Sequence, residues 1–330
     1  MPGAAGILSV VRRAGLLLLL VASLADARPR RYRPTPPPAP DLWERAIDPG
    51  GQVAHVLLEK AREAINRPER GMEAEWAVDQ RAGFYRDAYN ILREARRLSP
   101  ANPEVLALYG QVADELGKTR EAIDALEAAV KIEGPDKASA DVTGRLGALE
   151  LRLGNTDAAI RWLRYAQAGT SLMGNVEWIV YLATALAQRG EMIAATETLD
   201  RVMPASIPYF NPEAAMVAFS LAVLYDRDEQ RGNAFTVLDR MQGNLNSMYA
   251  TQLQQQLLRF EFIPGEDRNY YLGLFYESLG DYTEARAAWA LYAASGDTPW
   301  RARALDHIAA IDAQRRANPT IKPTQVKPPK

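Results

Sequence analysis

The sequence predicts an all-α protein, a right-handed α-solenoid of about five to six stacked antiparallel helix pairs with a capping helix at each end. Three observations carry that prediction. A glycine followed five residues later by an alanine recurs at Gly83/Ala88, Gly117/Ala122, Gly154/Ala159, Gly190/Ala195 and Gly280/Ala285, and Glu229/Ala234 fills a sixth frame with glutamate in the glycine position. The breaks stand 34, 37, 36, 39 and 51 residues apart, close to the length of one helix–turn–helix unit. No stretch of the chain reads as a convincing strand.

Residues 1–27 have the layout of a secretory signal peptide. Arg12 and Arg13 precede an apolar stretch over residues 14–24, and Ala25-Asp26-Ala27 gives a small-x-small cleavage site. The apolar stretch is shorter than the roughly 20 residues that cross a hydrocarbon core. The expected address is the bacterial periplasm or the extracellular space, after cleavage near Ala27. Two rivals stand beside it. Arg28, Arg30, Arg31 and Arg33 follow at once, and positive charge behind an apolar segment resists translocation, which favours an uncleaved membrane anchor. An Arg-rich, acid-poor start is also shared with mitochondrial transit peptides. Residues 28–41 carry six prolines, which forbid a helix and favour polyproline II. This segment reads as a stiff linker, a docking peptide, or a basic arm for anionic lipid or cell-wall polymer.

Within residues 42–68, Pro49-Gly50-Gly51 reads as a break, and residues 52–65 as an amphipathic cover with Val53, Val56, Leu57 and Ala61 inward. The array is expected over residues 69–298. Its logic is clearest at residues 102–135. Asn102 caps and Pro103 opens a helix. Leu106, Tyr109, Gly110 and Ala113 then share one face, and Gly117 supplies a left-handed stop. Ala122, Leu126 and Ala129 line the returning helix until Gly134-Pro135 ends it. Gly110 and Ala122 are small so that the two helices lie close. The longest gap contains a glutamine-rich stretch, residues 246–259, which reads as an added helix and the most protein-specific feature. Residues 299–317 read as a terminal cap with Trp300, Ala304, Ile308 and Ile311 inward and charges outward. Residues 318–330 read as a disordered Pro/Lys tail.

The frames resemble tetratricopeptide repeats. Tyr270-Tyr271-Leu272-Gly273-Leu274-Phe275-Tyr276, Leu279-Gly280-Asp281-Tyr282, Glu284-Ala285 and Trp289 hold the family's signposts in order. Leu146-Gly147 with Gly154, Ala159, Leu163 and Ala166 is similar, as are Ala183, Gly190, Ala195 and Leu199, and Leu221, Ala222, Tyr225, Ala234 and Leu238. The earliest frame matches in Ala88, Leu92, Ala95 and Pro100 but has Trp76 where a small residue is expected. The resemblance implies a face, lined by the first helix of each pair, that holds a partner's peptide or helix. Glu104, Gln111, Asp114, Asp141, Arg152 and Glu177 project there from the N-terminal half, and Met216, Phe219, Val223, Tyr270 and Leu274 from the C-terminal half. Phe219, Tyr270 and Leu274 read either as exposed anchors or as side chains packed against neighbouring helices. Some family members hold acidic chaperone tails with a Lys, Asn and Arg clamp, and the matching slots here lack it.

Composition excludes much else. The chain has 330 residues, 48% hydrophobic and 24% charged, with a formal net charge of −2, which speaks against binding nucleic acid through bulk positive charge. Without cysteine there is no disulfide, thiol catalysis or iron–sulfur ligation. The two histidines, His55 and His307, read as packed or surface residues with no surrounding carboxylate or nucleophile. Asp226 and Asp228 read as part of a polar helix-end loop. No phosphate-binding or dinucleotide motif appears. The expectation is a non-enzymatic, envelope protein–protein interaction scaffold without cofactor or metal, serving a secretion, pilus, motility or outer-membrane assembly. The alternative is a structural spacer tethered to lipid or cell wall through the basic arm.

Overall fold

The computed structural model describes residues 48–66, 77–168, 176–203, 211–242, 247–296 and 298–317. The signal-peptide, basic-arm and Pro/Lys-tail expectations, and Trp76, fall outside the described residues. The described residues form fourteen α-helices and no strand. In chain order they are α1 (Pro49–Ile65), α2 (Ala77–Leu98), α3 (Pro103–Glu115), α4 (Thr119–Glu133), α5 (Ala140–Arg152), α6 (Thr156–Ala168) and α7 (Val176–Gln188). There follow α8 (Met192–Asp200), α9 (Pro212–Arg227), α10 (Arg231–Gln242), α11 (Ser247–Arg259), α12 (Asp267–Ser278), α13 (Tyr282–Ala294) and α14 (Arg301–Ala317).

The helices make an α-solenoid of antiparallel pairs: α3/α4, α5/α6, α7/α8, α9/α10 and α12/α13. The same turn closes the first helix of every pair. In α3 it is Gly117 at φ 71°, with the amide of Lys118 donating to the Ala113 carbonyl at 2.8 Å. Gly154, Gly190 and Gly280 repeat the positive φ, and Asn155, Glu191 and Asp281 repeat the bond five residues back. Only a residue without a side-chain β-carbon enters this region freely. Glu229 adopts it all the same, at φ 59°, and Gln230 makes the matching bond to Tyr225 at 2.8 Å.

Asn102 caps α3, accepting from the amides of Glu104 and Val105 at 3.0 and 3.2 Å, with Pro103 in the first turn. Asn211 and Pro212 repeat the device at α9. Inside the pairs, close approach sets the sequence. A β-carbon on Gly110 falls 2.6 Å from Cγ of Leu126 and 3.1 Å from the Ala122 carbonyl. Gly147 faces Leu163 and Gly273 faces Trp289 in the same way. Ala122, Ala159, Ala195 and Ala285 on the returning helices are fully buried, and Ala234 nearly so.

Several expectations are corrected. Pro49 begins α1 and does not break the chain, because a proline in the first turn forfeits no intrahelical bond. The inward face of α1 is Ala54, Leu58, Ala61 and Ala64, whereas Val53 and Val56 are 51% and 53% exposed. These inward residues share one buried cluster with Ala88, Leu92 and Ala95 of α2. Gly83 does not end a helix, since α2 runs through it without a positive φ. At the other end, α14 buries Ala304 and Ile311, with Trp300 and Ile308 packed partly against the core. It also turns Arg303 and His307 inward, where charges were expected outward.

Candidate functional site

The inner face is lined by the first helices α3, α5, α7, α9 and α12. Its two halves differ. Between α3 and α5, with the end of α1 as one wall, lies a cleft of ≈ 400 Å³ lined by Arg62, Glu104, Leu108, Gln111, Asp141 and Arg145 among others. Thus Glu104, Gln111 and Asp141 come together on an open surface. Arg62 spans Glu59 at 2.5 Å and Glu104 at 3.0 Å, joining α1 to α3. Asp114 stands elsewhere. Its side chain is almost wholly buried between Arg145 and Arg152, at 2.8 and 2.5 Å, and it locks α3 to α5 where a surface acid was expected. Glu104, Asp141, Glu177 and Glu213 are each the second residue of their helices α3, α5, α7 and α9, where carboxylates suit the helix dipole. Burial raises the pKa of the Glu177 carboxyl, and the nearby Asp141 and Glu213 charges add to the rise.

In the second half the first-helix face is covered over most of its length, and a cleft is left only at its edge, among Leu151, Arg152, Gln188 and residues 262–265. Met216, Phe219, Val223, Tyr270 and Leu274 are buried, so of the two readings of Phe219, Tyr270 and Leu274 the one that holds is packing against neighbouring helices. Phe219 meets the rings of Tyr271 and Phe275, centroids 6.1 and 6.2 Å away. Helix α7 is enclosed on every side, with all its residues from Trp178 to Ala187 buried. The cover comes from the insertion between α10 and α12. Helix α11 buries Leu253 and Leu257, and its Gln254 donates to the Tyr276 hydroxyl at 2.9 Å. Beyond it, the Glu261 carbonyl accepts from the Tyr181 hydroxyl at 2.7 Å, and the Ile263 carbonyl accepts from Gln188 at 3.5 Å. The Glu261 carboxylate pairs with Arg152 at 3.0 Å. Phe260 packs on Tyr181 with centroids 5.4 Å apart, and Phe262 on Tyr271 at 4.6 Å. Tyr181, Gln188, Arg152, Tyr271 and Tyr276 all belong to first helices.

Between α9, α12, α13 and α14 is a buried ionic cluster that sequence reasoning missed. Asp226 lies in α9, not in a polar loop. It accepts from Tyr270 at 2.7 Å, Arg303 at 2.5 Å and His307 Nε2 at 2.9 Å. The other ring nitrogen of His307 meets Glu277 at 2.8 Å, Trp289 donates to the same carboxylate at 3.0 Å, and the imidazole stacks on Trp289 at 4.3 Å. Two carboxylates therefore do surround His307. Burial alone pulls its pKa down, but the hydrogen bonds to Asp226 and Glu277 outweigh burial and hold it at about 9. Burial raises the Asp226 carboxyl, and the hydrogen bond and charge of His307, with Arg303 and Tyr270, bring it well below its ordinary range. Next to it, buried Arg227 pairs with Asp267 at 2.8 Å and lies over the rings of Tyr270 and Trp300 at 4.6 and 3.9 Å. The cluster ties α9, α12, α13 and α14 together. Its members sit as many as 81 residues apart, and no local pattern announces them. His55 on α1 is half-buried.

Among the described residues no group of three or more His, Asp or Glu side chains is arranged to hold a metal, and no helix is long and apolar enough to cross a membrane. The tetratricopeptide-repeat family model matches residues 81–139, which span most of α2 and all of α3 and α4. No curated protein matches the chain. Among solved structures it is similar to pilF of Pseudomonas aeruginosa, at 13% identity and a TM-score of 0.48 over 81% of this chain and 99% of that one. It is also similar to PilW, a type IV pilus biogenesis factor, at 19% identity and 0.46 over 77% and 99%. A third is YrrB, a TPR protein with an unusual peptide-binding site, at 18% identity and 0.45 over 66% and 100%.

Proposed function

We propose that the protein is a non-enzymatic protein–protein interaction scaffold of the bacterial cell envelope, holding a partner segment on its inner face. The observation that carries this reading is the open cleft between α3 and α5. It combines a half-buried apolar floor at Ala107 and Leu108 with polar groups at Gln111 and Asp141. Such a surface buries a partner's side chain and fixes its register through charge. The N-terminal signal-peptide pattern supports the envelope address, and a secretion, pilus, motility or outer-membrane assembly is the setting proposed for the partner. The part of the inner face that carries this reading is its N-terminal half.

A photo-reactive side chain at position 111, in protein expressed in envelope-bearing cells, tests the reading. The same probe at Glu127, exposed on α4, serves as control. The expected result is a discrete cross-linked adduct from position 111 that is lost on charge reversal of Glu104 and Asp141. Equal adducts from both positions, or none from either, would contradict it.

A further inference from the structure

We infer that residues 260–263 act as a built-in peptide ligand, occupying the inner face at α7 and α12, and that this face takes a partner segment of the same chemistry: aromatic, acidic, aromatic, aliphatic. The inference rests on the scaffold reading above and names a second part of the face and the kind of segment that fits it.

The face meets the segment through both its main chain and its side chains. Two side chains of the face, Tyr181 and Gln188, reach main-chain carbonyls of the segment, those of Glu261 and Ile263. Bonds to main-chain carbonyls hold a backbone whatever its side chains are. Specificity comes from the rest. Phe260 and Phe262 seat against Tyr181 and Tyr271, while Arg152 holds the Glu261 carboxylate from α5. Phe262 and Ile263 are buried, Phe260 is half-buried, and the Glu261 side chain is 61% exposed on the segment's outer side. The α5 and α7 parts of the floor are also far from the segment in sequence, while α12 follows it directly. Gln188 precedes its bonded partner in the segment by 75 residues and Arg152 by 109, and the segment belongs to the one insertion that interrupts the repeat.

Next to the segment a second cleft of ≈ 510 Å³ opens between Leu151, Arg152, Gln188 and Phe262-Ile263-Pro264. The segment therefore fills the face only in part, and an incoming chain has an edge at which to enter. A tethered ligand competes at an effective concentration in the millimolar range, so a separate segment binds weakly until the tethered one is dislodged. The C-terminal half is in this sense a masked site, in contrast to the open cleft between α3 and α5.

The probe is a fluorescein-labelled peptide, Arg-Phe-Glu-Phe-Ile-Pro-Gly, with a control peptide carrying alanine at both aromatic positions. Binding is measured by fluorescence anisotropy to the full chain and to the Phe260→Ala/Phe262→Ala variant. The variant should bind the probe at least about ten-fold more tightly than the unaltered chain, because it no longer supplies the competing anchors. Adding Tyr181→Phe should remove most of that gain, and the control peptide should bind neither protein. Equal binding of the probe to the variant and the unaltered chain, with helical circular dichroism retained, overturns the inference. If the double variant does not fold, Glu261→Ala takes its place. It keeps both aromatics, frees Arg152, and should tighten probe binding about two- to three-fold. No change there overturns the inference equally. An intact position-111 adduct alongside such a failure leaves the scaffold reading standing and removes only the masked site.

Discussion

The two halves of the inner face are built from the same repeat and end differently. From α3 to α6 the first helices keep one face free, and their charges pair at the surface or across neighbouring helices, as Arg62–Glu104 and Arg145–Asp114 do. From α7 to α14 the first helices are enclosed, α11 and residues 260–263 lie over them, and a buried ionic cluster fastens the terminal helix. A repeat fixes how helices pair, while an insertion decides whether the surface so formed is available. The contrast is also one of rigidity. Charges removed from water are stable only with every partner in place; the first half holds one such acid, Asp114, and the second a network across four helices, so the C-terminal half should tolerate substitution less well.

The largest effect is expected inside the ionic cluster. Arg303→Ala leaves Asp226 short of a buried partner and should cost about 3–5 kcal/mol. Hydrogen exchange should show α14 and α12 losing protection while α3 and α4 keep theirs. Uniform loss over the whole chain would erase the distinction between the halves.

Alkaline pH is the next lever. The His307 pKa rises from 6.5 to about 9 on folding, so its contribution is complete below the unfolded value and disappears as pH climbs through about 9. The contribution is roughly 3 kcal/mol. Thermal melting of the unaltered chain should fall steeply between pH of about 7 and about 10, and His307→Gln should start lower and flatten that slope. The depressed Asp226 acts at the other extreme, its contribution fading as pH drops below the ordinary carboxylate range.

In the first pair, Gly110→Ala pushes a methyl group against Leu126 and should cost about 1–3 kcal/mol by denaturant unfolding. The smallest effect has the opposite sign. Glu229→Gly relieves a left-handed glutamate at a place where the other repeats use glycine, and should stabilise the chain by about 1 kcal/mol. A destabilised Glu229→Gly variant would mean that the glutamate side chain supplies something the backbone geometry does not reveal.

The turns were legible from sequence because positive φ leaves a mark that composition cannot disguise, as Gly117, Gly154, Gly190 and Gly280 demonstrate. Glu229 was legible only because its neighbours set the frame. Gly83 misled, since a glycine inside a helix of strong formers needs no turn. The inner face was readable where local polarity decides exposure, at Glu104, Gln111 and Asp141. It stayed open between exposure and packing at Phe219, Tyr270 and Leu274, and was misjudged at Val223, because their cover comes from elsewhere in the chain. One signal was available: the run from Trp178 to Ala187 is too apolar to be an amphipathic helix, and a helix apolar on all sides must be enclosed on all sides. The partners of His307 gave no such sign, since they converge from three other helices.

Hydroxyl-radical footprinting of the unaltered chain tests the central contrast most directly. Leu108 on the open half should be oxidised, with the 66%-exposed Phe235 as a fully reactive reference, while Tyr181, Phe219 and Phe262 should stay protected. Oxidation of Tyr181 and Phe219 at the rate of Phe235 would show the second half of the inner face to be open, and would contradict the account.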